Sequence, residues 1–237
     1  MKKNRTKTIL LSILLLLSSF SLFAQEFGIG ADMVSRYVWR GTDFGQSPSI
    51  QPTMSYTNAG FEAGFWGAYQ LGRTNPAILP ADELDFYAGY SFDIGSSSLG
   101  LVVTDYYFPN AGGRFGDLQN DGNGSHVVEV GATYSGPDSF PLSFSAFVNV
   151  YNDTDNSSYF ELGYSTFYKK VGIDLFAGAS PGGDNKFYGN DKFAFVNVGI
   201  SLSKEIKITD DFSLPIFGSY IINPNEDNAH FVFGISL

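Results

Sequence analysis

From Phe27 onward, apolar residues recur at every second position, with polar or small residues between them. Leu84, Phe86, Ala88, Tyr90 and Phe92 alternate with Glu83, Asp85 and Ser91. Val128, Val130, Ala132 and Tyr134 alternate with Glu129, Gly131 and Thr133. Phe160, Leu162, Tyr164 and Tyr168 alternate with Glu161, Gly163 and Ser165, and Val171 to Ala177 carries Asp174 on its polar side. The first such segment takes in Phe27, Ile29, Ala31, Met33, Tyr37 and Trp39, with Asp32 and Arg36 between. The tenth takes in Ala194, Val196, Val198, Ile200 and Leu202. In all, twelve segments fill the chain to Leu237. A period of two sends one set of side chains to each face of a strand, so each segment predicts a β-strand with one apolar and one polar face.

A soluble sandwich alternates too, and the links separate the two architectures. Links at 58–60, 95–98, 135–141 and 169–170 are short. Those at 40–47, 71–82, 108–125, 152–157, 180–191 and 222–228 are longer, and a turn at 204–211 completes the set. Short and long links alternate, as in outer-membrane barrels with short periplasmic turns and long outer loops. With the amino terminus on the periplasmic side, the outward-facing aromatics fall into two belts. Tyr37, Trp39, Tyr69, Tyr107 and Tyr220 form the outer one, and Tyr56, Phe61, Tyr90, Tyr134 and Tyr168 the inner one. Two aromatic girdles around an aliphatic band match the two lipid interfaces. The last segment alternates up to Leu237, a pattern of the kind the barrel-assembly machinery reads, with Leu where Phe is usual. The expectation is a closed, up-and-down, all-β transmembrane barrel of about twelve antiparallel strands, since backbone groups in lipid must all be paired. Pro215 sits inside the eleventh segment, and a proline in a ladder belongs at an edge or a bulge.

The start of the chain sets the compartment. Lys2, Lys3, Arg5 and Lys7 precede an apolar run from Ile9 to Leu17, and Ala24 stands before Gln25 and Glu26. This is the pattern of a secretory signal peptide over 1–24, leaving 25–237 as one barrel domain. Of 14 Lys+Arg, four lie in that leader, so ten face 24 Asp+Glu afterwards. Such an acidic balance argues against a nucleic-acid partner. With no cysteine, there is neither a disulfide framework nor a thiolate metal site. The expected surroundings are outer-membrane lipid, the assembly machinery and small solutes or ions.

The stretch 34–66 reads VSRYVWRGTDFGQSPSIQPTMSYTNAGFEAGFW, and ELDFYAGY follows at 83–90. Tyr37-Val38-Trp39-Arg40-Gly41, Gln51-Pro52, Gly60-Phe61, the region 64–66 and Glu83-Leu84-Asp85 resemble the TorF family of porin-like proteins, also known as the Gcw_chp proteins of Gram-negative bacteria. The motif match covers about the first third of the mature chain. The resemblance implies an outer-membrane pore and carries no catalytic residues with it.

Sorting residues by parity puts Asp32, Glu62, Glu83, Asp85, Glu129, Glu161 and Asp174 inside the barrel, against Arg36 and Arg40 near the outer mouth. The expected function is passive diffusion of small hydrophilic solutes or ions with a preference for cations. The arginines either bind an anionic group or pair with lumen carboxylates. Glu83 and Asp85 share a face and offer oxygen ligands, as do 121–123 and 153–155, but solvated charges and ordinary loop residues explain them better. No metal or cofactor is expected. His126 and His230 are the only histidines, and no glycine–serine–glycine nucleophile elbow is present, so no catalytic residue is assigned. Gly28-Ile29-Gly30 lacks the next glycine of a dinucleotide loop. The alternatives are an outer-membrane hydrolase and a structural or adhesive barrel with a blocked lumen. Bulky inward residues (Trp66, Tyr87, Phe147, Phe167, Phe176, Phe195) leave that choice open, and the link 108–125 is a candidate plug.

The alternation of links makes a topological prediction. Cysteine introduced as Asn120→Cys or Gly183→Cys should be labelled on intact cells by an impermeant thiol reagent, and Asn58→Cys or Lys169→Cys should not. Labelling at position 58 would reverse the orientation.

Overall fold

A computed structural model describes residues 25–72, 82–110 and 114–237; the signal peptide expected over 1–24 and parts of two long links lie outside them. The strands are β1 (Glu26–Val34), β2 (Tyr37–Trp39), β3 (Thr42–Phe44), β4 (Ser49–Asn58), β5 (Phe61–Gln70), β6 (Glu83–Ile94) and β7 (Ser97–Tyr107). They continue as β8 (His126–Ser135), β9 (Leu142–Tyr151), β10 (Ser158–Tyr168), β11 (Val171–Ser180), β12 (Ala194–Lys207), β13 (Ser213–Asn223) and β14 (Asn228–Ser236). β1 and β4 to β14 close into a twelve-stranded antiparallel barrel in which β1 pairs with both β4 and β14. β2 and β3 form a separate two-stranded sheet.

The wall follows the alternation. Met54, Phe65, Leu101, Leu162, Leu175 and Leu202 each stand about half-exposed on the outside, where a soluble protein would bury them. Tyr56 packs on Phe27 near the short-turn rim, and Phe61, Tyr90, Tyr134 and Tyr168 are also outward there. At the other rim, Tyr69 and Tyr220 are outward, and Tyr107 stacks on His126. An exposed aliphatic band between aromatic rims is the exterior of a barrel immersed in lipid. The tight turn at Ala59-Gly60 has positive φ at both residues, and so does that at Lys169-Lys170. This is the mirror-image turn that suits the right-handed twist of a hairpin.

Four readings of the sequence are corrected. The first wall strand stops at Val34 rather than continuing through Trp39, because the chain leaves the wall at Ser35. The long link therefore starts there, and the β1–β14 seam has only three registered pairs, against nine between β1 and β4. β12 runs on to Lys207, so the turn expected at 204–211 begins later. Its other end carries a bulge: Gly178 pairs with Asn197 but Ala179 with Phe195, so Val196 is the extra residue. Val196 is wholly buried among Tyr159 and Tyr188, while Phe195 is half-exposed, the reverse of the strict alternation. Finally, the described part of the link 108–125 does not plug the bore: Phe108 borders a cavity beside Trp39 and Glu83, and the rest is held outside. Its Phe115 ring packs on Phe86, Tyr107 and His126 outside the wall.

The prolines obey ladder chemistry. Pro215 pairs with Glu205 and lies one residue past the last β13–β14 pair, at the rim. Pro52 pairs with Ala31, but neither Gln51 nor Pro52 has a registered partner on β5. A residue without an N–H interrupts a ladder there.

The two faces of the wall should differ in tolerance to charge. Val130→Arg and Leu175→Arg should each cost roughly 2–4 kcal/mol, the penalty for a cation at mid-membrane depth on the lipid face. Thr133→Arg, three residues along on the inner face, should cost clearly less. Refolding titrations in lipid vesicles measure all three, and equal costs would contradict the assigned register.

Candidate functional site

The barrel interior is organised by the hairpin of β2 and β3, which folds inward from Ser35. Trp39 pairs with Thr42, and Arg40 and Gly41 make the two-residue turn with φ of 47° and 82°. Both values lie in the left-handed region that such a turn requires. A Cβ at Gly41 would come within 1.8 Å of the Val196 carbonyl oxygen, so only glycine fits. The Gly41 carbonyl in turn accepts a bond from the buried Asn223 amide. Alternation within β2 sends Val38 to the cluster of Val34, Ile221 and Val232, and Trp39 to that of Tyr159, Tyr188 and Val196. The core of the barrel is thus the hairpin packed against its own wall.

Tyr37 and Trp39 were expected in the outer girdle; both are inside. The Tyr37 ring lies 5.3 Å from Trp66, and its hydroxyl donates to Glu83 at 2.9 Å. Trp39 meets Tyr106 edge-on at 5.8 Å and Tyr188 at 5.9 Å. The misplacement follows from extending the period of β1 past Ser35, where the chain has already turned.

Arg40 is the centre of this arrangement. Its guanidinium grips Glu129 with two bonds, of 2.5 and 2.9 Å, and donates to the Tyr188 hydroxyl at 2.6 Å. Tyr106 donates to the same carboxylate at 2.8 Å. The rings of Trp39, Phe147 and Tyr159 each lie 4.4 Å from the guanidinium carbon. Arg40 and Glu129 are both buried. Burial alone lowers the Arg40 pKa, but the bonds to Glu129 and the neighbouring tyrosines outweigh it and hold the value above its ordinary one. Burial raises the Tyr37 hydroxyl well above its usual range, with Glu83 reinforcing it, and burial raises Tyr188 against the opposing charge of Arg40. Both phenols therefore stay protonated and remain donors. Arg36, the other arginine expected inside, pairs with Asp43 within the hairpin and is partly exposed.

Three of the remaining inward acids are bonded to neutral groups. Glu62 accepts from Tyr87 at 3.0 Å, Glu161 from Tyr159 and from Asn197 at 3.0 Å, and Asp174 from Ser165 at 2.6 Å. Asp32 lies opposite the buried Gln51 on the same inner face. Glu83 and Asp85 stand two residues apart and are both buried. Between the acids, glycines make room for rings. A Cβ on Gly64, Gly131, Gly199 or Gly234 would collide with Tyr87, Phe147, Phe176 or Phe217 respectively. Tyr87, Phe147, Phe176 and Phe217 thus lie over wall glycines, and it is the hairpin that occupies the bore.

Two cavities flank it. One of about 280 Å³ is lined by Tyr37, Trp39, Trp66, Asp85, Tyr87 and Tyr106. Another of about 190 Å³ lies by Glu83, Thr42, Phe44 and Phe187, and Trp39 and Tyr106 border both. Sequence reasoning named Glu83, Asp85, Glu129 and Arg40, but not Tyr106, Tyr159 or Tyr188. The parity of Tyr106 opposite Tyr107 was the available signal for the first of these; nothing local marks Tyr188, which lies in a loop.

His126 is tied down. Its Nδ1 meets both Asp105 oxygens at 3.0 Å, and its Nε2 meets the Phe115 carbonyl at 2.7 Å. With both ring nitrogens engaged, it fastens the 108–125 link to the wall. Asp153 fastens another loop: burial acts to raise its pKa, but bonds from Asn149, Ser157, Asn185 and the Asp155 backbone prevail and lower it. No group of acids and histidines among the described residues has the arrangement of a metal site.

Removing the central cation should loosen the hairpin. Arg40→Met leaves Glu129 buried and unpaired, which should cost about 3–5 kcal/mol, and adding Glu129→Leu should recover much of it. Amide hydrogen exchange at residues 37–44 reports the change; unaltered protection in Arg40→Met would show that ring packing alone seats the hairpin.

No curated protein matches the sequence. Among solved structures, the fold is similar to a chain from a study of how membrane proteins crystallise in meso, with 13% identity over 90% of this chain and 83% of that one, and a TM-score of 0.50. At that identity the likeness is one of fold. The family model Gcw_chp, described as a bacterial protein of unknown function, matches residues 23–229, and the chain belongs to that family.

Proposed function

We propose that the protein is an outer-membrane channel of porin type that passes small hydrophilic solutes or ions, prefers cations, and is constricted by the hairpin at 35–48. This is also the function implied by the TorF resemblance. The carrying observation is the charge left inside the barrel. Arg40 is neutralised by Glu129 and Arg36 by Asp43, whereas Glu62, Glu161 and Asp174 are held by hydroxyl and amide donors and face no basic partner. Acids of one sign in a narrow low-dielectric tube concentrate cations, and carboxylate rings favour them. The two cavities beside Asp85 and Glu83 lie on one side of the hairpin, where a route past it would run. A blocked structural barrel is the second reading, favoured by the depth at which Arg40 is buried.

Reversal potentials across a KCl gradient in planar bilayers should show K⁺ preferred over Cl⁻ at low salt. The preference should shrink as the Debye length falls from ~10 Å at 0.1 M to ~3 Å at 1 M. Gly41→Val, which cannot keep the turn under Val196, should raise conductance by unseating the hairpin. An anion preference would refute the acidic-lumen argument. Silence of both the wild type and Gly41→Val would leave the blocked barrel.

A further inference from the structure

We propose that the cavity between the hairpin and β5–β7 is a binding site for a small organic ammonium cation. Five aromatic rings line it: Tyr37, Trp39, Trp66, Tyr87 and Tyr106. The hydroxyls of Tyr37, Tyr87 and Tyr106 are committed to Glu83, Glu62 and Glu129, so the ring bodies are what the cavity presents. Asp85 lines the same cavity, is 93% buried at a relative exposure of 7%, and has one carboxylate oxygen, Oδ1, that is buried without a hydrogen-bond partner.

A buried acceptor with no donor is costly, and burial beside a second acid two residues away disfavours the charged form of either until a cation is supplied. The two arginines of the hairpin are spent, Arg40 on Glu129 and Tyr188 and Arg36 on Asp43. A cation supplied from outside satisfies the acid and the rings together. Aromatic faces attract such a cation through their quadrupoles, most strongly where water is excluded, and quaternary ammonium groups are well suited to this environment. A bare metal ion is a poorer fit, because the walls offer carbon rather than the six to eight oxygens that a hard cation takes. The volume of about 280 Å³ accommodates a group of choline size. This deepens the channel reading by naming a solute class, and its transport consequence rests on that reading; binding itself does not.

The protein contains two tryptophans, Trp39 and Trp66, and both line this cavity, so intrinsic fluorescence reports on it directly. Titrating refolded protein in detergent with choline should give a saturable change in tryptophan emission. The neutral isostere 3,3-dimethyl-1-butanol should give none at equal concentration. Asp85→Asn should weaken choline binding on the order of tenfold or more, as loss of a charged partner does, while Asp138→Asn, exposed in the turn before β9, leaves it unchanged. If Asp85→Asn does not fold, the wild-type comparison still decides. No response to choline, or an equal response to the isostere, overturns the proposal. Bilayer recordings separate the two readings: choline binding by a protein that never conducts retains the site and removes the channel, and conductance with no choline response does the opposite.

Discussion

The ion pair between Arg40 and Glu129 is the contact on which the interior depends. A guanidinium taken out of water is costly unless nearly all its donors are met, and a two-pronged grip on a carboxylate meets them best. Here the pair is roofed by the rings of Trp39, Phe147 and Tyr159, and shared with Tyr188. The backbone pays for this placement at Arg40 itself, whose φ of 47° is unusual for a residue with a side chain. That strain is held because the hairpin is fixed from both faces, by Val38 in one apolar cluster and Trp39 in the other.

The wall is adapted to receive the hairpin. Inward positions alternate between acids, which need donors, and glycines, which give space. The donors are tyrosines, from the hairpin (Tyr37 to Glu83), from the wall (Tyr106 to Glu129) and from a long loop (Tyr188 to Glu129). Phenols kept protonated by burial are suited to this, because they satisfy a carboxylate without neutralising it. The interior is therefore well bonded and keeps acids, Glu62, Glu161 and Asp174, that no arginine neutralises. This combination underlies the proposed preference for cations and leaves Asp85 facing an aromatic cavity without a donor for one of its oxygens.

The outer face follows simpler rules. Lipid asks only for apolar surface at every second residue, and the ladder supplies the backbone bonding whatever those residues are. Departures occur where the rule meets something local. Val196 turns inward at a bulge to fill the Tyr159–Tyr188 cluster, and His126, braced by Asp105, holds a loop against the wall through the Phe115 carbonyl.

The strand number, their antiparallel order and the apolar exterior were legible in the sequence, because period two is a local property and each strand repeats it. The inward direction of Glu62, Glu129, Glu161 and Asp174 followed from the same parity. What parity could not reveal is where the chain stops being wall. Tyr37 and Trp39 keep the parity of Phe27 to Met33 with only Ser35 interrupting it, and β2 is itself a strand, so the pattern is the same on either side. Only the closed barrel distinguishes them, by offering Glu129 on β8 and Tyr188 in a distant loop as partners for Arg40. Those contacts span 89 and 148 residues, and no local pattern encodes a partner that far away. The sequence by itself determined a barrel with an acidic interior; the tertiary structure decided that its first long link enters the bore, because the buried charge of Glu129 is best met by a cation delivered on a hairpin.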